Sequence, residues 1–261
     1  MTSIFSLPRV SRRAIKVWRR NLDVFLKTWK VNFFPPFIEA LLYLTAIGLG
    51  IGTYVGAIDG VPYITYIAPA ILAITVMNSA FFECTYGSYV RMYYQKSFDA
   101  IIATPLSIED VIAGELLWGA TRSVISVTIM LPVLVAFGVI SLPFSLLAIP
   151  LAFLAGLMFA GLAMCITSIT PSIDTLNYPS FLFITPMMLF SGTFFPLSVL
   201  PLVIQYVALA IFPLTHLVAL MRMATLPSAG SLLALNLIWI LAATVIFCVI
   251  SINLMRRRLI V

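Results

Sequence analysis

Two carboxylates, Glu39 and Glu83, stand inside long apolar runs, and the sole histidine, His216, stands in another. An acid at membrane depth must be neutral, paired or wet, so each of these positions is a place where protons, ions or a polar head group could be handled. Enzymatic chemistry finds less support. A serine–histidine pair would have to use His216, and no GxSxG-like nucleophile motif accompanies it. One histidine cannot build a His-rich metal site, and Cys84, Cys165 and Cys248 lie far apart without a CxxC, which reads as buried thiols rather than zinc ligands or disulfides. The lysines are Lys16, Lys27, Lys30 and Lys96; none follows a glycine, and no GxxxxGK[ST] loop exists to cradle phosphates. The chain is therefore expected to be no enzyme and to bind no metal or cofactor. If ATP and Mg drive its work, a separate subunit must use them.

The elements that hold these residues follow from composition. Of 261 residues, 62% are hydrophobic and 9% charged, and the mean hydropathy is +1.12. Soluble domains carry about a quarter charged residues, so lipid must be the solvent here. The net charge of +6 sits at the chain ends and in one loop, a pattern that reports orientation and anionic lipid contact rather than nucleic-acid binding. A bilayer crossing needs about 20 apolar residues. Residues 33–56, 63–89, 119–142, 144–169, 178–195 and 232–254 supply six crossings. Eight basic residues from Arg9 to Lys30 precede the first, Arg91 and Lys96 follow the second, and Arg256, Arg257 and Arg258 follow the last. Six crossings place all three clusters inside, with both termini cytoplasmic; seven would put the last one outside. The apolar segment Leu200–Leu220, broken by Pro201 and Pro213, then dips in from the outer side and returns. The connectors Ala57–Pro62 and Ser141–Pro143 are too short for any domain. The basic start followed by a long apolar run excludes a cleavable signal peptide.

Two cytoplasmic elements remain. Ser11, Ala14, Trp18, Leu22, Phe25 and Trp29 recur three or four residues apart, opposite a basic face, so residues 9–31 read as an amphipathic interfacial helix. Residues 91–117 form the longest polar stretch. Pro105 limits what precedes it to one short helix, and Ser107 with Asp110 makes a capping-box start for a second. This stretch reads equally as a solvated connector or as a docking element inserting Phe98, Ile101 and Ile102 into a partner's groove. Glu39 and Glu83 each lie six residues from the cytoplasmic end of their crossing, about 9 Å deep. One reading has them facing a single inward-opening vestibule. The plainer reading has each snorkelling or pairing with Arg91, Arg122 or the backbone.

These pieces together resemble the membrane subunits of type-2 ABC exporters, and within them the NodJ-type permeases associated with export of nodulation lipo-oligosaccharides. The resemblance rests on AIKVWRRN (Ala14–Asn21), FFECTYGSYVRM (Phe81–Met92), GELLWGATRS (Gly114–Ser123), MMLFSGTFFPLSVLP (Met187–Pro201), PLTHLVALMR (Pro213–Arg222) and RRRL (Arg256–Leu259). It implies an all-α fold in the bacterial inner membrane, a homodimer paired with two ATP-binding cassette subunits, and an amphiphilic cargo. It implies that 97–115 is the coupling element, with Ser97, Phe98, Asp99, Ile101, Ile102, Pro105, Glu109 and Glu115 toward the ATPase. The stretch 196–223 would be the external re-entrant gate, marked by Phe194, Phe195, Pro196, Pro213 and His216. A substrate path would pass Glu39, Tyr43, Phe82, Glu83 and Tyr86. A hydrophobic drug is the alternative cargo. A proton-coupled carrier using Glu39 and Glu83 is the alternative mechanism, and a scaffolding membrane protein a third class; no internal repeat of the kind many carriers show is visible between the two halves.

Overall fold

The computed structural model describes residues 7–58, 60–226 and 232–259. Five helices are long and apolar enough to cross a membrane: α2 (Trp29–Val55), α3 (Tyr63–Tyr94), α5 (Ile108–Ala136), α6 (Phe144–Ile169) and α10 (Leu233–Leu259). Ahead of them runs α1 (Ala14–Lys27), and α4 (Ser97–Ile102) lies between α3 and α5. The remaining helices are α7 (174–190), α8 (Leu202–Ile211) and α9 (Pro213–Thr225). Two-residue strands, β1 (Ala57–Ile58) and β2 (Val61–Pro62), pair between α2 and α3, the one departure from an all-helical chain among the described residues. Asp59, inside that connector, lies outside the described residues.

The bundle is built around α3. Of its most apolar stretch 78% is buried, against 17% for α2, so α3 is surrounded by protein while α2 leaves most of its surface for lipid or a partner. Helices α5, α6 and α9 pack on α3, and α10 packs along α6. Small residues set these distances, because no hydrophobic force favours helix over lipid and close approach must come from shape. A side chain added at Gly161 would stand 3.0 Å from Phe247, one at Gly156 would meet Ser123, and one at Gly48 would meet Ile64. Gly50 faces open space and Gly52 makes only ordinary contacts.

Several boundaries differ from the sequence-based ones. Helix α5 starts at Ile108, not 119, so the second half of the 91–117 stretch is the beginning of a membrane-length helix rather than loop. The reason is local: Ser107 accepts from the Asp110 amide, while the Asp110 carboxylate accepts from the Ser107 amide. Similarly, α3 runs past Tyr89 to Tyr94 through two π-helical turns, Glu83–Gly87 and Val90–Tyr94. The helix expected over 9–31 spans 14–27, since Thr28 breaks it and α2 begins at once with Trp29. The crossing expected at 178–195 is helical over 174–190 and leaves the helix at Ser191. Its roughly 25 Å falls short of a hydrocarbon core of about 30 Å. Beyond it, α8 and α9 meet at 86°, a bend placed at Pro213, whose ring cannot continue the preceding helix.

Candidate functional site

The charged residues inside the bundle converge where α1 meets α3 and α5. Glu115, on α5 one residue beyond Gly114, is fully buried, and its carboxylate accepts four hydrogen bonds. It accepts from Asn21 Nδ2 at 2.8 Å, Ser88 Oγ at 2.9 Å, and Arg91 Nε and Nη2 at 2.9 and 2.6 Å. Arg91 also donates through Nη1 to Glu83 at 2.8 Å. Arg122 brings its Nε to 3.3 Å from the other Glu83 oxygen and lies over the Phe25 ring at 5.0 Å. Arg20 stands 3.8 Å from Glu115 and donates to Asn21 Oδ1. Burial holds the Arg20 guanidinium below its ordinary pKa; Glu115 opposes that and Arg91 adds to it. A buried carboxylate is tolerable only when paired and hydrogen-bonded, and here three donors meet Oε2 while Asn21 meets Oε1. Around the cluster lies a cavity of about 370 Å³, lined by Arg20, Phe25, Glu83, Arg91, Trp118 and Arg122 among others.

Helix α1 is positioned by the same contacts. Its buried line is Ala14, Val17 and Asn21, which shares Ala14 with the stripe read from the sequence and then falls one residue before Trp18 and Leu22. The small Ala14 and Val17 face Gly114, where an added Cβ would sit 2.6 Å from Val17 Cβ and 2.8 Å from the Ala14 carbonyl. From that stripe Trp18 donates to Thr121 at 2.8 Å, and Phe25 meets Trp118 edge-on. Ser11 donates through its amide and hydroxyl to Asp110, and Arg13 donates to the Pro105 carbonyl. At the far end of the chain Arg256 pairs with Glu109 at 3.2 Å. The start of α1, the start of α5 and the end of α10 therefore share one side of the bundle.

On the opposite side, Tyr63 donates to the Phe194 carbonyl at 3.1 Å, and Arg222 donates to the Gly192 carbonyl at 2.6 Å. His216 is buried, with Asn236 Oδ1 2.8 Å from one ring nitrogen and the Leu209 carbonyl 2.9 Å from the other, and it stacks on Trp239. These bonds tie α9 to α8 and α10, and both α3 and α9 to the turn that follows α7.

The description of ABC-2 type transporters matches residues 14–226, a span that takes in the charged cluster, the α4 segment and the bent pair. The chain belongs to the ABC-2 type transporter family. It is 34% identical to Nodulation protein J of Sinorhizobium fredii over 245 residues, covering 94% of this chain and 93% of the relative. With Nodulation protein J of Rhizobium meliloti it shares 34% identity over 256 residues, 98% and 97% of the two chains. Inner membrane transport permease YadH of Escherichia coli is 24% identical over 188 residues, 71% and 72% of the two chains. The protein is thus a multi-pass membrane transport subunit of a family whose ATPase is a separate ATP-binding cassette partner.

Set against this ABC-2 permease, the sequence-derived sites divide. Asp99 and Pro105 are exposed, and Ser97, Ile101, Ile102 and Glu109 are half-buried. Phe98 and Glu115 are corrections: both are fully buried in the permease itself, Phe98 because α4 folds back on α3 and α5, Glu115 because it closes the charged cluster. Glu39 and Glu83 do not share a vestibule. Arg91 and Arg122 turn Glu83 toward α5, while Glu39 lines a separate apolar groove with Phe34, Ile38 and Tyr43. Phe82 packs against Tyr86, whose hydroxyl donates to Asn177 at 2.7 Å. Sequence reasoning missed Asn21, Ser88 and Arg20 as parts of one site. The signal was faint: an asparagine on the inner line of an amphipathic helix, and an acid opposite it in Gly114–Ser123.

Proposed function

We propose that this chain is the permease half of an ATP-driven exporter, working as a homodimer with two ATP-binding cassette subunits and moving a lipid-linked oligosaccharide or similar amphiphile outward across the bacterial inner membrane. Both termini and α4 face the cytoplasm in this reading, as the clusters Arg9–Lys30 and Arg256–Arg258 favour. The cargo class follows from the resemblance to NodJ-type permeases. The observation that carries the mechanism is the bonding of α4's neighbourhood to three other elements. Arg13 holds the Pro105 carbonyl, Ser11 holds Asp110, and Arg256 holds Glu109. A displacement of the exposed α4 by a closing ATPase would thus reach α1, α5 and α10 together. Alternating access then needs no acid–base step at Glu39 or Glu83, and Glu83 serves as an ion-pair partner.

The test begins with the tagged chain, purified in mild detergent from its native host, and identification of the proteins bound to it. A stoichiometric P-loop ATPase, released when the exposed Asp99 and Ala103 are changed to arginine, supports the exporter and places the coupling surface on α4. An ATPase retained by the double variant moves that surface elsewhere. No ATPase after cross-linking in the membrane sinks the exporter reading.

A further inference from the structure

The cavity beside the charged cluster holds an imbalance. Three guanidiniums, Arg20, Arg91 and Arg122, face two carboxylates, Glu83 and Glu115. Glu115 is taken up by Arg91, Ser88 and Asn21, and Arg91 spends its donors on both acids and on Ser88. One positive charge is left over, shared by Arg20 and Arg122. Arg20 makes a single hydrogen bond, to Asn21. Arg122 has a 3.3 Å ion contact through Nε and makes no hydrogen bond to the described residues, its buried Nε included. No other carboxylate pairs with either arginine among those residues. Their side chains are 34% and 23% exposed, so water screens the surplus only in part, and leaving it uncompensated at the membrane boundary is costly.

The setting favours one kind of counter-ion. The cavity is also lined by Thr28 and Asn32, at the elbow where the interfacial α1 turns into the crossing α2, the level at which lipid head groups lie. Planar guanidiniums with free terminal N–H groups match the tetrahedral oxygens of phosphate, and charge-assisted pairs of this kind are about twice as strong as neutral ones. We propose that the cavity binds the phosphate of an anionic phospholipid head group, gripped between Arg20 and Arg122. The lipid thereby completes the packing of α1 against α3 and α5. The inference shares the inward orientation proposed above and is independent of the cargo and of the ATPase.

The experiment uses the full-length chain in neutral detergent, titrated with phosphatidylglycerol or phosphatidylcholine and followed by native mass spectrometry and thermal unfolding. Phosphatidylglycerol should bind about tenfold more tightly and raise the unfolding temperature. Arg20→Gln and Arg122→Gln should each remove most of that preference, Arg122→Lys should keep part of it, and Glu83→Gln, which enlarges the positive surplus, should strengthen it. Lys16→Gln and Arg19→Gln, on the outer face of α1, should leave it intact. Displacement of the lipid by millimolar inorganic phosphate would support the site and assign recognition to the phosphate alone; resistance to it would support the site and add the acyl chains to recognition. Equal binding of the two lipids by the unaltered chain overturns the proposal. So does a preference that survives in the Arg20→Gln, Arg122→Gln double variant, or one that vanishes with Lys16 and Arg19.

Discussion

At the scale of single residues, the most demanding position is Glu115. Its carboxylate satisfies Asn21, Ser88 and Arg91 at once, so removing it leaves a buried guanidinium with Glu83 alone. Breaking one partner of a buried ion pair costs roughly 3–5 kcal/mol. Glu115→Ala is therefore expected to lower the thermal stability of the detergent-purified chain by that order, measured as loss of the monodisperse peak after heating. A loss no larger than that of a surface substitution would contradict the paired geometry. Glu83 was legible in the sequence as an acid in need of a partner, and Arg91 and Arg122 were its nearest candidates. Asn21 was not legible as the third member, because nothing in a basic amphipathic helix says which polar residue turns inward. That choice belongs to Gly114 on another helix, 93 positions along the chain.

At the scale of elements, two devices fix the side of the bundle where α1, α5 and α10 meet. The Ser107–Asp110 capping box starts α5 and was readable because its partners are three residues apart. The close approach of α1 to Gly114 was not, since both sides of that contact are small residues without a periodic signal. Replacing Gly114 by leucine puts its side chain into Val17 and the Ala14 carbonyl, and overpacking of this kind costs about 1–3 kcal/mol. The expected outcome is an α1 lifted from α5, read as faster proteolysis within Arg12–Lys27 while the rest of the chain stays intact. Unchanged proteolysis would mean that α1 is held by its polar bonds alone. The π-helical turns at Glu83–Gly87 and Val90–Tyr94 also lie beyond sequence reading. Each widens the helix by one residue per turn, and here they carry the Glu83 and Arg91 side chains that meet each other and α5.

At the scale of the whole molecule, the Arg256–Glu109 pair closes the bundle by joining its last helix to the start of α5. The pair is partly exposed, so its contribution to stability is small, within about 1 kcal/mol. Arg256→Ala should accordingly leave thermal stability nearly unchanged. If the proposed coupling through α5 and α10 holds, it should still reduce ATP hydrolysis by the assembled complex, and a double variant exchanging the two charges should recover it. A large stability loss would instead make the pair structural. On the opposite side, the His216–Asn236 and Arg222–Gly192 bonds hold the bent pair α8–α9 to α10 and to the turn after α7.

The membrane environment, the order of the apolar segments, the basic clusters, the capping box and the proline break at Pro213 were all determined by the sequence alone, because each depends on composition or on neighbours within one or two turns. The family, too, was legible in segments spread along nearly the whole chain. What only the tertiary structure decided is which side of each helix faces protein. Lipid and protein interior are both apolar, so hydropathy cannot separate a buried Phe98 from a docking Phe98, or place Glu39 and Glu83 in one cavity or two. Those assignments rest on close packing at small residues and on buried ion pairs between distant positions, which take their meaning from the assembled bundle.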